Sequence, residues 1–275
     1  MAKRKTLLPG FGLAFGTTVF MVSLLVIIPL IALVWKSTDM NWVEAYQTLG
    51  NPRVLAAFRV TFVSAFLAAF INVFFGLAIA WVLVRYPLPG KRIIDALIDL
   101  PFALPTAVAG IVLTAIYAPN GWLGQYLSEL GIKIAYTPAG IVVALVFIGL
   151  PFIVRTVEPV LQDLDQQQEE ASISLGASNW ETFRRVILPP LIPATLTGFS
   201  LALARGLGEY GSVIFIAGNM PMISEIVPLL IVTKLEQYDY AGATVIALAS
   251  LALAFIMLFI INILQQWTRR RTGRV

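Results

Sequence analysis

Residues 61–84 read TFVSAFLAAFINVFFGLAIAWVLV, a run without a single charged side chain. Wound as an α-helix at 1.5 Å per residue, it is about 36 Å long and can cross the roughly 30 Å hydrocarbon layer of a bilayer. The run is continuously apolar, whereas a barrel strand would alternate over about ten residues. A helix bonds its own amides where lipid offers no water. This stretch predicts an all-α integral membrane protein.

Five further runs qualify, at about 11–34, 101–118, 139–157, 191–217 and 241–264, so six transmembrane helices are predicted. Pro101 and Pro105 make the first turn of the third irregular. The first follows Lys3-Arg4-Lys5 but is too long for a signal peptide, and no small-residue cleavage site comes after it. Segment 219–240 is too polar to span. Its short apolar run at 226–232 predicts an interfacial or re-entrant element. The chain is 59% hydrophobic and 12% charged, where soluble domains run near half and a quarter. One membrane domain is expected over 11–267, after an N-terminal segment at 1–10 and before a basic tail at 268–275.

Basic residues orient the helices. The N-terminus, 85–96, 155–190 and the tail hold Lys3, Arg4, Lys5, Arg85, Lys91, Arg92, Arg155, Arg184, Arg185, Arg269, Arg270, Arg271 and Arg274, thirteen in all. The opposite connections hold five, Lys36, Arg53, Arg59, Lys133 and Lys234. Both termini are predicted to be cytoplasmic.

Several classes of chemistry are excluded. The chain has no cysteine and no histidine, which removes disulfides, thiolate or imidazole metal sites, and Cys or His nucleophiles. No phosphate-binding G-x-x-x-x-G-K-[ST] loop occurs. The basic residues sit at segment ends and form no nucleic-acid stripe. No catalytic residue, metal or cofactor is expected in this chain.

The connection at 158–190 is long and patterned. Residues 162–175 read as a helix rich in Gln and Glu, and Gly176 is placed to end it. Ser178 and Glu181 make a capping box for a second helix. Trp180, Phe183 and Ile187 give that helix an apolar face, and Pro189-Pro190 stop it. The face needs a cover: the protein's own membrane domain, the lipid interface, or a docked cytosolic partner.

Glu170-Ala171-Ser172, three residues, Gly176, nine residues, Val186, one residue, then Leu188-Pro189 resembles the E-A-A-x₃-G-x₉-I-x-L-P signature of ABC-type import permeases. The departures are Ser172 for Ala and Val186 for Ile. Residues 205–219 (RGLGEYGSVIFIAGN) and 219–241 are similar to the T-type, or U-type, permease of bacterial sulfate/thiosulfate importers. The resemblance covers most of the chain. It implies the six-helix fold of type I importer permeases, with a cytoplasmic helix-turn-helix coupling loop.

The resemblance also implies roles and partners. Glu170, Ala171, Gly176, Trp180, Phe183, Leu188 and Pro189 would couple to ATP-binding subunits, with Glu170 facing their basic groups and Gly176 making the turn. The Trp180 and Phe183 face would pack in the partner's cleft or back under the membrane core. ATP and Mg would be held on that partner. A related second permease would complete a heterodimer. An extracytoplasmic sulfate/thiosulfate-binding protein would deliver the anion, and the site of action would be the bacterial plasma membrane. A related oxyanion such as molybdate or tungstate is the alternative cargo. A secondary transporter or channel would leave the loop without a role, and an intramembrane enzyme would lack its nucleophile and base.

Arg205 and Glu209 are the charges well inside the fifth run. Charges at bilayer depth are costly and face the bundle interior or water. At i, i+4 they can pair, either as a structural tie or as part of an anion path with Asn219 at its mouth. Asp95 and Asp99 read as a solvated or interfacial edge rather than as proton carriers, and Asn72 as an interhelical hydrogen bond.

Overall fold

The computed structural model describes residues 11–38 and 40–271, with side chains described through Gln266. Lys3-Arg4-Lys5 and Arg274 lie outside the described residues, as do the side chains of Arg269, Arg270 and Arg271. The described chain is predominantly helical, with no strand among the described residues.

In chain order the elements are α1 (Phe11–Ser37), α2 (Trp42–Leu49), α3 (Pro52–Arg85), α4 (Lys91–Ala103) and α5 (Thr106–Tyr117). Next come α6 (Gly124–Glu129), α7 (Pro138–Gln162), α8 (Gln166–Ser174) and α9 (Asn179–Leu207). The last are α10 (Val213–Ile216), α11 (Val227–Glu236) and α12 (Tyr240–Arg271). Five helices are long and apolar enough to cross a membrane, six if the bent pair α4–α5 counts as one.

Helix starts follow local chemistry. Asn51 accepts a hydrogen bond from the Arg53 amide at 2.9 Å, and Pro52 occupies the first turn, where its missing N–H costs nothing. The core is the triple packing of α3, α7 and α9. Small residues on α3 make it close: Ala65, Ala68, Ala69, Gly76 and Ala80 are buried. A Cβ on Gly76 would fall 2.5 Å from Ile153 Cγ2, and one on Gly198 would fall 2.9 Å from Ile153 Cα. Gln265 of α12 ties onto α9, donating to Leu196 O at 2.9 Å and Ser200 Oγ at 2.8 Å. Helix α1 buries none of its residues and leans on α12.

Four sequence expectations change. The run at 101–118 is not one helix with an irregular first turn: the chain bends by 112° between α4 and α5. Leu104 precedes Pro105 and is held extended, as a residue before proline prefers. The helix expected to reach 217 ends at Leu207, since Gly206, Gly208 and Gly211 weaken it and Glu209 captures the next amide. The helix expected over 162–175 begins at Gln166, because α7 continues through Gln162 and Asp165 caps α8 by accepting from the Gln167 amide at 2.9 Å. Pro189-Pro190 do not stop the second loop helix. A wide π turn over Phe183–Ile187, where the Leu188 amide reaches Phe183 O, carries the chain through.

Candidate functional site: an exposed loop joined to a polar break

The loop between α7 and α9 is built as a hinge-like corner. At the end of α8 the Gly176 amide bonds Ile173 O at 2.9 Å and the Ala177 amide bonds Ser172 O at 3.2 Å. Gly176 has φ of 89°, a left-handed value that suits glycine. The capping box forms: Ser178 Oγ accepts from the Glu181 amide at 3.3 Å, and Glu181 accepts from the Ser178 amide at 3.0 Å. The Ser178 backbone bond, then its hydroxyl, hold the Glu181 carboxyl below its usual range. The Ser172 and Thr182 hydroxyls meet at 3.0 Å and pin the two helices together.

The loop's side chains divide into two sets. One fastens it to the core: Glu169 pairs with Arg85, whose guanidinium sits 5.4 Å over the Trp81 ring. Phe183 packs edge-on against Trp81 at 6.1 Å. The other set is uncovered. Leu175 is 89% exposed and Trp180 67%, with Glu170, Ala171 and Gly176 also exposed. Leu188 and Pro189 are half-buried. In the corner of the loop lies an open groove of about 820 Å³ lined by Ala171, Ser172, Leu175, Gly176 and Pro189, among others. Trp180 stacks on Phe183 at 5.7 Å, so the two form the one face read from sequence: Phe183 meets Trp81 on its other side, while Trp180 stays largely uncovered.

Helix α9 runs unbroken from this loop to the polar break. Its 29 residues make a rod of about 44 Å. At the far end Arg205 Nη1 pairs with Glu209 Oε2 at 2.5 Å. Glu209 is buried, and its other oxygen accepts from the Ser212 amide at 2.9 Å and hydroxyl at 3.0 Å. Glu209 thus closes the irregular turn 208–212 while holding Arg205. Asn219 donates to Ile214 O at 2.7 Å and ends α10. Among the described residues no hydrogen bond or ion pair joins Asn219 to Arg205 or Glu209.

Two polar clusters were missed in sequence. Asp95 and Asp99 lie at a partly solvated edge, but they are paired there. Arg155 of α7 grips Asp99 through two nitrogens at 2.8 and 2.7 Å and also reaches Glu158 at 2.7 Å and Asp95 at 3.4 Å. The i, i+4 carboxylates on an amphipathic helix were the visible signal, but their partner lies 56 residues on. Arg53 and Glu225 form a second pair at 2.8 and 2.7 Å. Asn72 does not make its expected interhelical bond: it is fully buried against Gly149, and neither amide atom has a partner.

An exposed corner fastened by one edge, a long helix and a buried polar break stand within a set of helices apolar enough to cross a membrane, which defines a multi-pass membrane subunit. The chain belongs to the family of binding-protein-dependent transport system inner membrane components, whose family model matches residues 72–274. It is a multi-pass membrane permease.

Curated relatives are close. The chain is 46% identical over 267 residues to the sulfate transport system permease protein CysT of Escherichia coli (strain K12), covering 97% of this chain and 96% of the relative. It is 50% identical over 252 residues to the CysT of Synechococcus elongatus, covering 92% and 91%. Among solved structures, a bacterial alginate ABC transporter in complex with its alginate-bound periplasmic protein matches with TM-score 0.76 at 14% identity, covering 94% of each chain. A bacterial ABC transporter importing alginate matches with TM-score 0.74, also at 14% identity, covering 91% and 92%. These structures share the fold.

Proposed function

We propose that this chain is a membrane-spanning permease subunit of an ATP-driven importer that carries sulfate or thiosulfate into the cell. The observation that carries the transport reading is the continuous rod α9, with an uncovered docking corner at one end and the Arg205–Glu209 break at the other. The oxyanion assignment rests on relatives named as sulfate permeases at 46% and 50% identity over nearly their whole length.

In this reading the basic end faces the cytoplasm of a bacterial cell, and both termini lie there. ATP-binding subunits dock on Glu170, Ala171, Gly176, Leu175 and Trp180, and they hold the ATP and Mg. Leu188 and Pro189 pass the movement into α9. Phe183 transmits it sideways to Trp81 and α3. The permease itself carries no catalytic site. A second, related permease covers the face of α3 that leaves Phe66, Phe70 and Phe74 exposed. A binding protein delivers the anion at the opposite end.

Arg205, half-exposed, offers positive potential to the passing dianion, and Glu209 holds its guanidinium in place. Asn219 shapes the loop at the mouth. Replacing Glu170 by Arg is expected to leave membrane insertion intact and to uncouple ATP hydrolysis from uptake in vesicles. Normal uptake by that variant would refute the coupling role.

A further inference from the structure

Arg59 stands immediately before the uncharged run of α3, about 10 Å along the helix from Pro52. Four other arginines on the long helices hold a carboxylate: Arg53, Arg85, Arg155 and Arg205. Arg59 is exposed and, among the described residues, has no ion pair. An unpaired guanidinium at the edge of the hydrocarbon layer needs water, a headgroup or an anion.

Its surroundings favour the anion. Arg59 lines a groove of about 520 Å³ at the end of α3 away from the docking loop, with Val63, Ser64, Pro138, Met222 and Ile223. Ser64 is only 4% exposed, yet its hydroxyl has no hydrogen-bond partner among the described residues. Hydroxyls on long helices normally bond back to the fourth carbonyl before them, as Thr61 does to Ala57 and Ser200 to Leu196. Ser64 forgoes that bond and lines the groove. No carboxylate lines it.

The groove's far wall is strained. Met222 has φ of 65°, and Tyr136, two residues before Pro138, has φ of 64°. Side-chain-bearing residues are held in this conformation where the surroundings over-determine them, commonly at functional sites. Ala65, the residue after Ser64, packs on Gly206, the neighbour of Arg205.

We propose that Arg59 and Ser64 form an outer receiving site for a dianionic oxyanion, from which the anion passes toward Arg205. The guanidinium supplies charge and a bidentate donor edge, and the free hydroxyl supplies a second donor. The site rests on the oxyanion-import reading above.

The test uses the complete transporter, with its second permease, ATPase and binding protein, in proteoliposomes given radiolabelled sulfate. Arg59→Gln should lower uptake about tenfold, while the complex still co-purifies intact. Arg59→Lys should recover part of the loss, and Ser64→Ala should cost about threefold. Wild-type uptake by Arg59→Gln would overturn the site and leave Arg59 as a headgroup contact. Equal loss in the Lys and Gln variants would also overturn it, by assigning Arg59 to packing. Failure of the unaltered transporter to take up sulfate would remove the import reading, and this site with it.

Discussion

Helices α1 and α7 are both apolar enough to span a bilayer, yet more than half of α7's apolar window is buried and none of α1's is. Apolarity states only that lipid is tolerated. Burial states which helix the subunit needs for itself. Helix α7 carries Gly140, Gly149 and a row of fully buried Ile and Val side chains that meet α3 and α9. Helix α1 offers no such row, so its faces are available to lipid or to another subunit.

That contrast is most severely tested by filling the closest contact. Gly198→Leu should cost about 3 kcal/mol or more, because the new side chain meets the backbone at Ile153 and cannot swing clear. Thermal unfolding of the detergent-solubilised chain would show it. Arg155→Ala should cost about 1–2 kcal/mol by the same measurement, since three carboxylates lose a partly solvated partner. Unchanged stability would mean that α4 is not held on α7 through that cluster. Leu25→Ala on α1 should change the isolated chain by about 0.5 kcal/mol or less, because its side chain is exposed. A larger loss would show α1 to be part of the core.

The smallest expected effect sits on the loop. The Glu181 carboxyl is held below its ordinary value, so its contribution is present above pH 4.5 and is lost as pH falls below it. Hydrogen exchange at the start of α9 should rise under acid while the α3–α7 core stays protected. Ser178→Ala should weaken that pH dependence, because the Ser178 backbone N–H remains, whereas Glu181→Gln should remove it.

The parts of the fold legible in sequence were those written along one dimension. Long apolar runs, the Gly176 corner and the Ser178–Glu181 box each depend on residues a few positions apart. What escaped depends on distant partners or on backbone adjustment. Pro189-Pro190 carry a strong stop signal, but a π turn five residues wide absorbs them and joins the loop to the rod. The end of α9 near 208 did not show, because it is fixed by the capture of the Ser212 amide by Glu209. Arg155 looked like a flanking charge until α4 folded under it. At the candidate site the residues of the loop corner were legible as a motif. Their division into a fastened set and a free set was not, because it depends on Trp81 and Arg85, about a hundred residues earlier.

In the proposed function the uncovered part of the loop, and not its fastened part, receives an ATPase subunit. The most direct test is co-purification of that subunit with the full chain from its native membrane, comparing Leu175→Asp with Trp180→Ala against Phe183→Ala. The account expects the ATPase to be lost from the first variant pair and kept by the Phe183 variant, whose damage should appear as lowered stability. Retention of the ATPase by the Leu175 and Trp180 variants, or its absence from the unaltered chain, would contradict the account.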